Sequence, residues 1–536
     1  MAGHLFVLRG DLASLACDAW LLPTDRGLNV TDSWWRNAAL APRLAAALAR
    51  RPGKPGQPFR KAFQGGERAI PLDDIAGPRP FLTVIGAGGQ PVEWYVEGVR
   101  AFLDTARSLD DAQRFLPKRA RRLLALPVVG TGAGGAYWVA GEILEKLIPV
   151  LVDYAALHDV DIALVCWGAA HFAAAQAARR RLNETGGRRL WASLSPEMQR
   201  EAEALARDAA SHHLVLFLGA GVSMGAGLPS WRELLDELGR HAGLTEADLE
   251  SFKTVSLLDR AQFVAEKLRQ GNPDRNVGAA VKALLTKHVH HGLAHALLAS
   301  LPVEETITTN YDTLFEQASE GAGHKGVRVL PYAPTRKGAR WLLKMHGCVE
   351  HPDDIVLTRE DYMRYVERNA ALAGIVQAML ITKNMLFVGF SLEDDNFLRI
   401  VDAVRRAVRG PTAGTDAAEP EGGRLGYALM PRGHALLQEL WSKDLPWLCP
   451  GGEDAKSEDG VRAIEIFLDL LTHHAASHGH LLDERFGDML DAEERALRDA
   501  LLTVAAGETR YRDIPAWGAV KALLGQLGYR PPGDGE

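Results

Sequence analysis

Short apolar runs recur along this chain, each closed by glycines or polar residues and most followed by a stretch with helical spacing. The first two, around Phe6 to Leu8 and Ala19 to Leu22, flank a polar turn at Gly10-Asp11 and are predicted strands. Phe81 to Gly89 and Leu123 to Gly135 run out into glycines before a helical pattern, and Asp161 to Trp167 precedes an alanine-rich helix reaching about Leu182. Strands alternating with helices predict a parallel sheet with helical crossovers. The Gly/Pro/Arg-rich stretch Arg51 to Gly66 is expected to be a loop, and the polar cluster Asn183 to Arg189 a boundary.

The second half opens on a predicted helix, SPEMQREAEALARDAA, with Ser195 as its cap and Glu197 in the first turn, where the helix dipole favours negative charge. Strands are predicted at Leu214 to Gly221, Glu305 to Asn310, Trp341 to Gly347, Asn384 to Ser391 and Gly426 to Pro431. Gly410 to Gly423 reads as a disordered surface loop and Pro450 to Gly460 as another polar loop, after which the chain is helical in character to about Leu527. No repeat of solenoid period occurs. The expectation is an α/β protein in three segments: an α/β domain over 1–190, a parallel-sheet domain over 195–450 and a helical extension over 460–536.

Composition narrows the function classes. Among 536 residues, Lys and Arg total 61 and Asp and Glu 68, a formal charge of −7, so there is no electrostatic footprint for nucleic acid or an acidic lipid surface. The four cysteines, Cys17, Cys166, Cys348 and Cys449, are too scattered for a disulfide framework or a CxxC pair, which points to a reducing compartment. No stretch of ~18 or more residues lacks polar interruption. A soluble, cytoplasmic protein is expected.

The run LVLFLGAGVSMGAGLPSW places a strand directly before Gly219-Ala220-Gly221, then Ser223 and Pro229. Glycines at such a junction let backbone approach a pyrophosphate, whose charge a helix N-terminus and exposed N–H groups stabilise. Alone, the triplet fits a tight strand-to-helix turn equally well. Taken with ITTNYD at 307–312, KMHG at 344–347 and VGFSL at 388–392, it resembles the sirtuin family over about Leu214 to Met430. The resemblance implies a Rossmann-type sheet that binds NAD. Gly219, Ala220, Gly221, Ser223 and Pro229 would then surround the diphosphate and the nicotinamide side. Asn310 and Asp312 would lie at the ribose and the carboxamide, His346 would be the catalytic histidine, and Gly389 and Ser391 would face the adenosine ribose. These residue types suit the chemistry: His346 can titrate near neutrality, Asn310 can hold a hydroxyl or water without a competing charge, and Asp312 can accept from an amide. Singly, each is explained by a satisfied histidine or a polar turn; jointly they favour the site.

Protein-deacylating sirtuins typically carry two CxxC pairs for zinc after the catalytic histidine, but here only Cys348 and Cys449 follow His346, and Trp231 replaces the usual Phe-Arg. The region is therefore most similar to bacterial sirtuin-like domains that hydrolyse NAD, with no metal expected. The histidines at 288, 290, 291 and 295, and at 473, 474, 478 and 480, read as ordinary helix histidines.

Residues 1 to about 182 are similar to macro domains, which bind ADP-ribose-like ligands. By that resemblance Asp11 would accept from an adenine amino group, and Gly130, Thr131, Gly132, Ala133, Gly134 and Gly135 would wrap a diphosphate with backbone N–H groups. Pro23, Thr24 and Asp25 stand where catalytic macro domains show an Asn pair, so binding rather than hydrolysis is expected. Proteins joining such domains resemble bacterial antiphage effectors. The expectation is an NAD hydrolase, with NAD as substrate, controlled by an ADP-ribose-like or cyclic ADP-ribose-like nucleotide and assembled as a homo-oligomer. A non-catalytic NAD- or ADP-ribose-binding assembly protein and an NAD-dependent protein deacylase are the alternatives.

Overall fold

The structure is a computed structural model that describes residues 2–35, 40–49, 57–72, 77–86, 88–131, 135–185, 189–271, 276–409 and 424–531. The chain divides into two compact units, Met1–Ala192 with Ala476–Glu536, and Ser193–Ala475.

In the first unit β1 (Leu5–Arg9), β2 (Ala19–Thr24), β3 (Ala69–Pro71), β4 (Arg79–Val84), β5 (Leu123–Pro127) and β6 (Asp161–Cys166) form one sheet in the order β1-β6-β5-β2-β4-β3. Each pairing is parallel except β3 on β4, an antiparallel edge that its brevity hid from the sequence pattern. A buried carboxylate sets the register near the centre. Asp18, just before β2, accepts from the N–H groups of Leu116 and Leu123 at 3.0 and 2.8 Å. Part of the expected loop Arg51 to Gly66 is instead a helix, Gln57–Gln64. Phe59 and Phe63, four residues apart, share one face and are both buried, and that burial outweighs the breaker-rich composition.

The helical extension expected over 460–536 is divided between the units. The helix Ser457–His474 is buried along Ala463, Ile466, Phe467, Leu470 and Leu471, and it packs on the helices Pro196–Ala210 and Leu293–Ser300 of the second unit. Beyond it, Phe486 and Met489 enter the core of the first unit, while Leu481, Leu482, Trp517 and Leu524 form a small cluster of their own in that unit. Apolar anchors on each side of Ala475 therefore assign the two parts to different cores.

The second unit begins as expected, with Ser195 accepting from the Met198 N–H at 3.2 Å to cap the helix Pro196–Ala210. Its sheet contains β7 (Leu214–Leu218), β8 (Glu305–Thr308), β9 (Arg328–Leu330), β10 (Trp341–Lys344), β11 (Asn384–Val388), β12 (Gly426–Leu429) and β13 (Trp447–Leu448). The order is β13-β12-β11-β7-β8-β10-β9, with every pairing parallel. From β7 the chain builds outward through β8 to β10 and β9, then returns to place β11 on the other side of β7. The strand order reverses at β7, and a crevice opens outside the carboxyl ends at such a switch point. β9 and β13 were not foreseen. The stretch Gly410 to Gly423, expected to be disordered, lies outside the described residues.

Phe217 of β7 lies among Phe387, Phe390 and Phe397 with ring centroids 4.9, 4.7 and 5.2 Å away. Phe217→Ala is expected to destabilise the second unit by roughly 3–5 kcal/mol, read as a lower midpoint of its denaturant transition. A midpoint unchanged from wild type would show that this cluster does not carry the sheet.

Candidate functional site

β7, β8, β10 and β11 end side by side, and the residues singled out by the motifs all leave from those ends. Gly219 and Gly221 follow β7, Asn310 and Asp312 follow β8, His346 follows β10, and Gly389 and Ser391 follow β11. The glycines first solve a packing problem. The Gly219 N–H donates to Val388 O at 3.0 Å and the Gly221 N–H to Gly389 O at 2.9 Å, so the β7 and β11 loops are stitched together. A Cβ on Gly221 would lie 2.7 Å from the Gly389 Cα, and one on Gly389 would lie 2.5 Å from the Val222 nitrogen; Gly389 also has φ +65°. These two N–H groups are therefore engaged within the fold. Ala220 and Ser391, just beyond β7 and β11, are exposed, and Pro229 is half-buried on the way into the capped helix Trp231–His241.

Ser223 is buried at the centre of a closed hydrogen-bond network. Its Oγ donates to Asp312 Oδ2 at 2.8 Å and accepts from Asn310 Nδ2 at 3.1 Å. Asn310 Nδ2 also donates to Gly219 O at 3.1 Å. The third contact of the hydroxyl is His295 Nε2 at 3.3 Å. The Gly292 N–H donates to His295 Nδ1 at 3.2 Å, so in the neutral ring the proton sits on Nε2 and is given to Ser223. Burial holds the His295 pKa down at about 4, which keeps the ring in that neutral form. Asp312 Oδ1 accepts from the Leu314 N–H at 3.0 Å. Both carboxylate oxygens thus accept hydrogen bonds inside the protein, one of them from the Ser223 hydroxyl that in turn accepts from Asn310.

Lys344, in the apolar run of β10, is fully buried. Its ammonium donates to the Asp312 carbonyl and pairs with Glu316 at 2.7 Å. Burial alone would lower the lysine pKa, but Glu316, Cys348 and Asp312 outweigh it and the net shift is upward. Burial raises the Glu316 pKa against the pull of Lys344. The pair fixes the turn that carries Asn310.

His346 is buried with its ring centroid 5.5 Å from Tyr362 and 5.8 Å from Tyr365. Its main-chain oxygen accepts from the Val356 N–H at 2.9 Å. Burial lowers its pKa and nearby Asp394 opposes that shift, so the neutral ring is favoured. A neutral imidazole following β10, the strand next to the one that carries the half-buried Asn310 amide, can take a proton from a water or hydroxyl held there. His295, Lys344 and Asp394 were missed as site residues. A lysine within an otherwise apolar strand was the one signal in the sequence that could have been read.

In the first unit the motif residues lie at the carboxyl ends of β1 and β5. Asp11 Oδ1 accepts from the Ala13 N–H at 3.0 Å and its Oδ2 accepts from Ser14 Oγ at 3.3 Å, capping a short turn. Gly130 and Gly135 have φ +79° and +78°, the Ala136 N–H donates to Gly130 O at 3.0 Å, and Thr131 Oγ1 donates to Val128 O at 3.1 Å. Gly132, Ala133 and Gly134 lie outside the described residues. Asp25 is occupied by Asn29, which donates to its carboxylate from the backbone at 2.9 Å and the side chain at 2.7 Å. Among the described residues no group of three or more His, Cys, Asp or Glu is placed to hold a metal, and no helix is long and apolar enough to cross a membrane.

Comparison with known proteins places the second unit in company. A family model described as SIR2-like domain matches residues 304–444. The NAD(+) hydrolase ThsA of Bacillus cereus (strain MSX-D12) is 31% identical over 219 residues, 40% of this chain and 44% of that protein. The NAD(+) hydrolase ThsA of Enterococcus faecium is 33% identical over 218 residues, 40% of this chain and 43% of that protein. Defense-associated sirtuin 2 of Bacillus subtilis is 23% identical over 198 residues, 36% of this chain and 19% of that protein. The chain thus spans less than half the length of these curated relatives.

The buried His295 gives stability a pH dependence of known sign. The folded ring titrates at about 4 and an unfolded one near 6.5, so below pH 6.5 the unfolded chain binds a proton that the native state refuses. Stability from this group is complete above pH 6.5 and declines as pH falls towards 4, by roughly 3 kcal/mol in all. His295→Gln removes that part of the slope in denaturation measured from pH 7 to pH 4; an unaltered slope would mean that the native ring already carries the proton.

Proposed function

We propose that this protein cleaves the nicotinamide–ribose bond of NAD with water, releasing nicotinamide and ADP-ribose. The observation that carries this reading is that Asn310, held by Gly219 and Ser223, and a buried His346 kept towards neutrality follow the carboxyl ends of the adjacent strands β8 and β10, next to the switch point at β7. The similarity of this segment to NAD(+) hydrolases supports it.

The reaction needs three things from the chain. As the C–N bond breaks, its electron pair passes to the nicotinamide nitrogen and the ribose carbon becomes electron-deficient. The crevice must hold that carbon near a water, which Asn310 does by hydrogen bonding without adding a charge. His346 must take the water's proton as the new C–O bond forms, then release it to solvent, which a neutral imidazole does and an imidazolium does not. The glycine turn lets main chain approach the diphosphate, with Ala220 and Ser391 exposed there. NAD is the only cofactor-like molecule required, as substrate, and no metal enters the scheme.

The first unit is proposed as a binding domain of macro type for an ADP-ribose-like or cyclic ADP-ribose-like signal, held at Asp11 and the loop Gly130–Gly135. Its support is the pair of left-handed glycines at the carboxyl end of β5. Control follows if that nucleotide binds one state of the chain more tightly than another. NAD depletion in antiviral defence, by a cytoplasmic homo-oligomer, is the role this combination suits; the name of the Bacillus subtilis relative supports the setting.

Incubating the full chain with NAD, alone and with ADP-ribose or cyclic ADP-ribose isomers, is expected to release nicotinamide, more rapidly with the activating nucleotide. His346→Ala is expected to lower kcat by ~10²–10⁴ and Asn310→Ala by a similar order, with folding intact by circular dichroism. No nicotinamide under any nucleotide, or full turnover by His346→Ala, would refute the assignment.

A further inference from the structure

His346 has two ring nitrogens, and the fold treats them differently. Nε2 is buried with no hydrogen-bond partner, and the nearest charge to it is Asp394 Oδ2 at 3.7 Å. Asp394, in the loop between β11 and the helix Asp395–Arg409, is itself held from two sides. Its Oδ2 accepts from the Tyr362 hydroxyl at 2.7 Å and its Oδ1 from the Phe397 N–H at 2.9 Å. The Tyr362 ring that delivers this hydroxyl also lies against the imidazole. A half-buried carboxylate fixed by two donors and aimed at one nitrogen of a buried histidine resembles neither a surface ion pair nor a simple helix cap. The present gap is longer than a hydrogen bond and would close with a movement of less than about 1 Å, as such contacts do when a site fills.

We propose that Asp394 is the positioning residue for His346: it accepts a hydrogen bond from Nε2–H, which fixes the tautomer and leaves Nδ1 as the nitrogen that faces the reacting water or hydroxyl. This assignment rests on the NAD-cleaving reading above. When Nδ1 accepts the proton from water, the ring becomes an imidazolium with Asp394 beside it, so the charge formed in the step is met by one already in place. Tyr362 and Tyr365 on the helix Arg359–Arg368 pack against the ring, and Tyr362 in turn neighbours Tyr311, whose hydroxyl donates to Val356 O at 2.8 Å. Two residues earlier in the same strand, Lys344 is matched by Glu316. Burial raises all three tyrosines, and at His346 itself Asp394 opposes burial.

Asp394→Asn separates charge from shape, since the amide oxygen still accepts from the Phe397 N–H. Two measurements on the full chain decide the matter. The first is a nuclear magnetic resonance titration of His346 without NAD, assigned by the signal lost in His346→Gln. The second is the pH profile of nicotinamide release. In Asp394→Asn the His346 titration and the acidic limb of kcat/KM are both expected to move to lower pH, and kcat to fall at least ~10-fold with KM little changed. Tyr362→Phe, which keeps the carboxylate, is expected to titrate close to wild type. A His346 titration unmoved in Asp394→Asn, or a raised KM with kcat preserved, would overturn the proposal; the latter would make Asp394 a substrate contact. If the wild-type chain releases no nicotinamide, the catalytic reading fails while the titration still decides whether Asp394 governs His346.

Discussion

Gly221 and Gly389 lie backbone to backbone, with no room for a side chain on either. That contact joins the loop leaving β7 to the loop leaving β11, the two strands at which the sheet order reverses. Two residues beyond Gly221, Ser223 is turned inward, where one hydroxyl organises Asn310, Asp312 and His295. Two residues beyond Gly389 the chain reaches Ser391, and then Asp394 beside His346. The crevice, the amide that lines it and the carboxylate behind the histidine all depend on two main chains being able to touch.

Burial then does the electrical work. His295 and His346 are both held towards neutrality by removal from water, but with different consequences. His295 has its tautomer fixed by a main-chain N–H and acts as a donor within the framework. His346 has no hydrogen-bond partner at Nε2 and faces the Asp394 carboxylate through that nitrogen. Lys344 shows the opposite case: a buried ammonium stays charged because Glu316 lies 2.7 Å away and main-chain oxygens accept its protons. The site is therefore assembled from groups whose protonation is decided by their surroundings rather than by bulk pH.

Much of this architecture was legible in advance where one physical signal dominated. Leu214 to Leu218 is a continuous apolar run because both faces of a parallel strand are covered, and Ser195 announces a helix because its hydroxyl is the right length to cap one. The pattern failed where local composition and tertiary burial disagreed. Gln57–Gln64 lies in a stretch rich in helix breakers, yet Phe59 and Phe63 found a core. β3, β9 and β13 are too short to show a period at all. The helical tail looked continuous, and nothing in its spacing revealed that Phe486 and Met489 belong to one core and Ile466 and Phe467 to another surface.

The sequence by itself determined the longer strands, their parallel sense and the motifs that follow β7, β8, β10 and β11, because apolar run length, glycine position and cap residues are local properties of the chain. Only the tertiary structure decided that Asp312 is a framework acceptor, that His295 supports Ser223 across 72 residues, and that Asp394 stands behind His346. Those roles depend on distance and on exclusion of water, and both arise only when strands far apart in sequence are brought side by side.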